Sequence, residues 1–64
     1  MLDGKKIKEL MEKHSMLQKD LAECVGVSEM MLSYIVRGVK NPSIEVAKRI
    51  ADTLGVTIDE LVKE

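Results

Sequence analysis

The sequence predicts an all-α domain, a compact bundle of five short helices. Three observations carry that prediction. Apolar residues recur at spacings of three and four, and strict alternation is absent. Residues that cap helix starts, Asp3, Ser28, Ser43 and Thr57, stand just ahead of such apolar runs. Gly26, Gly38 and Gly55 stand just behind them, where helices end.

The elements follow in order. Asp3 caps a first helix whose inner face is Ile7, Leu10 and Met11. The pattern breaks around His14–Leu17, and His14 is read as a helix-end residue. A second helix runs from about Gln18 to Val25 with Leu21, Ala22 and Val25 inward, and Gly26 ends it in the left-handed conformation. Ser28 caps a third, with Glu29 at the positive end of its dipole and Leu32, Ile35 and Val36 buried, and Gly38 stops it. Val39–Pro42 is a turn. Ser43 caps a fourth helix striped by Ile44, Ala47, Ile50, Ala51 and Leu54, and Gly55 ends it. Thr57 and Glu60 form a capping box opening a last helix with Ile58, Leu61 and Val62.

Sixty-four residues suffice for a single domain, 1–64, with no second one. A chain this short buries only about 60% of its unfolded surface. Its lone cysteine, Cys24, closes no internal disulfide and is read as a half-buried structural thiol; no Cys/His cluster offers a metal site. Stability must come from aliphatic and methionine packing, helped by self-association. No apolar run approaches the roughly 18 residues of a membrane span, and no signal-peptide pattern opens the chain. A cytoplasmic setting without membrane contact is expected. There is no paired nucleophile and base, no phosphate-cradling glycine loop and no suitably spaced carboxylate pair, so no enzyme is expected. Once the core is filled, no pocket remains for a cofactor or small-molecule ligand.

The net charge of −1 argues mildly against nucleic acid, but its distribution is uneven. Residues 1–49 carry +2 and residues 50–64 carry −3, which leaves room for a basic face away from the C-terminal end.

The informative stretch lies at about 18–37, within QKDLAECVGVSEMMLSYIVRG. Two short helices flank Val25-Gly26-Val27-Ser28. Ala22 lets the helices cross closely, Gly26 makes the sharp turn, and Val27 and Leu32 plug the angle. Those are the mechanical requirements of a helix-turn-helix. With Gln18, Leu21-Ala22, Gly26-Val27-Ser28, Leu32, Ile35, Gly38, Asn41-Pro42-Ser43, Ile50-Ala51, Leu54-Gly55-Val56 and Asp59-Glu60-Leu61, the chain resembles the phage-repressor-like Cro/cI proteins. This is the lambda-repressor-like or XRE family, and the resemblance runs from about Ile7 to Val62.

The resemblance implies a transcriptional regulator, a repressor, that binds specific double-stranded DNA as a homodimer. In such proteins the third helix lies in the major groove. The base-contacting positions would be Ser28, Glu29, Met30, Ser33 and Tyr34. The phosphate-contacting positions would be Gln18, Lys19, Arg37, Lys40 and Asn41. Free N–H groups at the start of the second helix add an anion site beside Gln18 and Lys19. Ile58, Leu61 and Val62 are either core cover or a dimer seam.

Three positions depart from the family pattern. Leu17 stands where a capping Ser, Thr or Asn is usual, so the cap is lost or passes to Ser15 or Gln18. Met11 and Val36 stand where many relatives bury an Arg–Glu pair, and they are expected to touch in the core. Glu29, Met30, Met31 and Tyr34 replace much of the Gln, Asn, Arg and Ser that read base edges. Direct readout would therefore be sparse, leaning on DNA shape or on Ser28, Ser33 and Tyr34. Met31 is read as half-buried and Met30 as outward, in contact with the groove or with a partner. Tyr34 is placed toward the DNA rather than in the core. The competing function is a protein-interaction module on the same scaffold, using the adaptable Met30/Met31 surface with weak or no DNA binding.

Overall fold

The computed structural model describes residues 2–62. It contains α1 (Gly4–Lys13), α2 (Gln18–Val25), α3 (Glu29–Val36), α4 (Ile44–Leu54) and α5 (Ile58–Leu61). No strand forms among the described residues; one isolated antiparallel bridge joins Leu2 to Val62. All-α architecture is thus observed, with helix limits close to those read from caps and spacing.

The local chemistry explains each boundary. Asp3 accepts from the backbone N–H of Lys5 and Lys6. The hydroxyls of Ser28, Ser43 and Thr57 accept from Met31, Val46 and Glu60 in turn. Each bond satisfies a donor that the first helical turn leaves without an internal partner. Gly26 and Gly55 terminate α2 and α4 with φ of 83° and 73°, a region that costs other residues energy. At the end of α1 the same left-handed position is taken by Ser15, with φ 53°. Ser15 N–H donates to Glu12 O (3.0 Å) and Met16 N–H to Met11 O (2.8 Å), a Schellman pair built without glycine.

Of the alternatives for the start of α2, the structure shows the side-chain cap lost. Neither Ser15 nor Gln18 substitutes for the missing hydroxyl at Leu17. Asp20, three residues into the helix, instead accepts from the Leu17 N–H at 3.2 Å. This is the returning half of a capping box, and it leaves the Leu17 side chain 68% exposed.

Ile7, Leu21, Val25, Leu32, Ile35, Ile50, Leu54 and Leu61 are wholly buried, so every helix contributes to one core. α2 packs on α3 and α4, while α1 packs on α3 and α5. Met11 and Val36 are both buried in this cluster, where the sequence places them. The close seat of α1 on α3 depends on Gly4, because a Cβ there would collide with the Val36 carbonyl. Asp3 N–H donates to Leu61 O at 2.6 Å, tying the two ends of the described chain together.

Two burial expectations are overturned and one alternative is decided. Ile44 was assigned to the inner stripe of α4 but is 84% exposed, because the first turn of α4 projects past the edge of the core. Cys24 is exposed rather than half-buried; it flanks the inward arc of Leu21, Ala22 and Val25. Leu61 is 0% exposed, which is the core-cover alternative of the Ile58, Leu61 and Val62 face and leaves it no exposed surface to offer a second copy. Ile58 remains half-buried and Val62 exposed.

Candidate nucleic-acid interface

The site is the outer surface of α2, α3 and the turn after α3, and its geometry is set from behind. Three side chains bond distant main chain. Gln18 Nε2 reaches across from the first turn of α2 to the carbonyl of Glu29, the first residue of α3, at 3.4 Å. Arg49 on α4 donates through Nη1 to Val25 O at 3.3 Å, satisfying a carbonyl that the end of α2 leaves free. Its Nη2 is held by Glu45 one turn earlier at 3.2 Å. His14 Nε2 lies 3.1 Å from Leu54 O, joining the ends of α1 and α4. With Ala22 and Leu32 buried and Val27 half-buried, the α2–α3 pair is fixed at both ends of its turn.

The outer surface divides by position. Ser28, Glu29 and Met30 at the start of α3 are exposed, Met30 by 65%. Ser33 and Tyr34 lie further along the helix and are half-buried, as is Met31. Ser28 is committed to its cap, so its hydroxyl already has one partner. Lys19, Arg37, Lys40 and Asn41 are exposed, and Gln18 is half-buried.

The turn that carries the cations hangs from Tyr34. Val39 N–H and Lys40 N–H both donate to Tyr34 O, at 2.9 and 3.3 Å. Gly38, with φ 77°, makes the reversal that this requires. As a result Arg37 Cζ and Lys40 Nζ stand over the Tyr34 ring, at 5.3 and 5.9 Å from its centre. The sequence reading missed this arrangement, as well as the Gln18, Arg49 and His14 bonds. An aromatic three and six residues ahead of two cations, with glycine between, was the available signal for the first. The acidic Asp52, Asp59 and Glu60 lie on α4 and α5, separate from α2 and α3.

The arrangement defines a class: a helix pair at a sharp turn, with the start of the second helix exposed and cations beyond its end. A helix-turn-helix family model matches residues 7–61. The chain belongs to this XRE-type helix-turn-helix family, and its curated relatives carry the name HTH-type transcriptional regulator. It is 39% identical over 57 residues to the prophage-derived HTH-type transcriptional regulator YotL of Bacillus subtilis, covering 88% of this chain and 71% of that protein. It is 33% identical over 58 residues to the HTH-type transcriptional regulator DdrOP3 of Deinococcus deserti, covering 91% of this chain. It spans only 45% of that relative's length. Among solved structures, the Bacillus subtilis biofilm regulator SinR in complex with DNA superposes with a TM-score of 0.84 at 31% identity, covering 94% of this chain and 97% of that one. Among the described residues no helix is long and apolar enough to cross a membrane.

Proposed function

We propose that the chain is a cytoplasmic transcriptional repressor that binds specific double-stranded DNA as a homodimer, with α3 in the major groove. The carrying observation is the outward face of α3 at a turn braced from α4, flanked by exposed cations. The likeness to SinR bound to DNA supports the same docking. Ser28, Glu29, Met30 and Ser33 then meet base edges. Gln18, Lys19, Arg37, Lys40 and Asn41 meet phosphates. Tyr34 lies between the two sets. Glu29 accepts from a cytosine amine, and Met30 contacts a thymine methyl.

The homodimer reading rests on domain size and on an apolar groove. One domain this small binds a specific site weakly, and a second copy on a two-fold operator multiplies the affinity. Ile44, Ile58 and Val62 line a groove with Leu2, Pro42 and Ala47, and a second copy seated there takes exposed apolar surface out of water. Half-sites about 10 base pairs apart follow from that geometry. A dimer covering its operator represses by occupying the duplex.

Met30, exposed on the same face, favours a second reading, a protein-interaction module. Salt separates the two. Duplex retardation that weakens steeply with salt supports DNA binding. A methionine-centred protein contact barely responds to salt, and failure to retard any duplex at low salt overturns the DNA reading. Sedimentation of the chain with and without duplex tests the dimer; one chain per site under all conditions overturns it.

A further inference from the structure

We infer that Tyr34 is a positioning residue that gathers Arg37 and Lys40 into a paired phosphate clamp, rather than a reader of base edges. The inference rests on the DNA-binding reading and deepens it.

Three features converge on the ring. Tyr34 is half-buried on α3, so its side chain is restrained while part of it stays accessible. Its carbonyl accepts from Val39 and Lys40, which folds the turn back so that Lys40, six residues on, returns to it. Arg37 and Lys40 then place their cationic groups within 6 Å of the same ring centre, at 5.3 and 5.9 Å. The face of an aromatic ring carries partial negative charge and attracts a cation at this range. Two long, flexible side chains that would otherwise sweep through solvent are both drawn to one ring. Like charges held close repel one another, and the group that best relieves such a pair is an anion placed between them. On a duplex that anion is a backbone phosphate. The ring is thereby engaged with the protein's own cations, and its contribution falls on affinity, which is shared by all sequences, not on preference among them.

The test uses the full chain on two duplexes, one selected for tight binding and one of random sequence, with Tyr34→Phe, Tyr34→Leu, Lys40→Ala and the Tyr34→Leu/Lys40→Ala double variant. Phenylalanine keeps the ring face and is expected to bind both duplexes as the parent does. Leucine is expected to weaken both duplexes by the same factor, roughly two- to fivefold for each cation released. Lys40→Ala is expected to cost less in the Tyr34→Leu background than in the parent, because the clamp is already open. In the free protein, nuclear magnetic resonance is expected to show the side-chain methylenes of Arg37 and Lys40 shifted upfield by the ring. That readout stands apart from DNA and from the folding of any variant. Normal positions for those protons overturn the clamp even if DNA binds. A Tyr34→Phe change that alters the ratio between the two duplexes makes Tyr34 a base reader and also overturns it. Failure of the parent to bind any duplex, with the ring shifts present, overturns the DNA reading and the phosphate role with it.

Discussion

The two faces of α3 obey different rules. On one face Leu32, Ile35 and Val36 are buried against the other helices. On the other, Glu29 and Met30 stand in solvent, and Ser33 and Tyr34 border it. The inner face is chosen by packing, which accepts few shapes and sizes. The outer face contributes little to stability and is free to vary with its partner. A helix-turn-helix therefore holds its recognition helix by one side and offers the other. The bonds from Gln18 to Glu29 and from Arg49 to Val25 fix the ends without using the outer face of α3.

The contrast is broken most forcefully from within. Leu32→Ala removes a wholly buried side chain at the angle between α2 and α3 and is expected to cost about 2–5 kcal/mol. A domain of this size has a total stability of only about 3–10 kcal/mol. Urea unfolding is therefore expected to show a midpoint well below the parent's, with binding lost in proportion to the unfolded fraction. A midpoint like the parent's contradicts the assignment of Leu32 to the core. Ser28→Ala acts at the boundary of the two faces. It removes the oxygen that accepts from Met31 N–H, and the cost is expected to be about 1 kcal/mol. Because the first turn of α3 frays, binding is expected to weaken on every duplex, and because Ser28 is also placed at the base edges, preference is expected to relax at the base pair it meets.

Ser15→Gly sharpens the contrast from outside. Ser15 holds a left-handed φ of 53° that glycine adopts without steric cost. After the extra freedom glycine gains in the unfolded chain, a net stabilisation of about 0.5–1 kcal/mol is expected. Thermal unfolding reads the gain, and duplex affinity is expected to stay the same, since the end of α1 lies outside the proposed interface. A loss of stability contradicts the account of how α1 ends.

How much of this was legible in the sequence follows from the range over which each cause acts. Caps and glycine terminators act within four residues, so Asp3, Ser28, Ser43, Thr57, Gly26 and Gly55 announce the helix boundaries. Helical spacing placed nearly all of the core. It failed at Ile44, where the period is correct but the core ends before the helix does. The break after α1 was legible, but the left-handed turn at Ser15 was not, because serine carries no signal for one. Cys24 lies beside the inward arc of α2, and spacing alone does not say how far a neighbouring helix reaches. The bracing bonds link residues 11 to 40 positions apart and depend on the assembled fold. In the candidate site, the exposed start of α3 and the cations after it were readable. For the stacking of those cations on Tyr34 the sequence offered only their spacing, because the contact itself depends on a reversal at Gly38 and on two hydrogen bonds to one carbonyl.

The central claim is that the outer face of α3 specifies a duplex while its flanks hold the backbone. Selection from a random duplex pool by the parent, Lys40→Ala and Met30→Ala tests it most directly. The account predicts that the parent enriches one motif with two-fold symmetry and half-sites about 10 base pairs apart. Lys40→Ala should enrich the same motif with weaker retention, and Met30→Ala a motif altered within each half-site. A parent that enriches nothing, or a Met30→Ala motif identical to that of the parent, would contradict it.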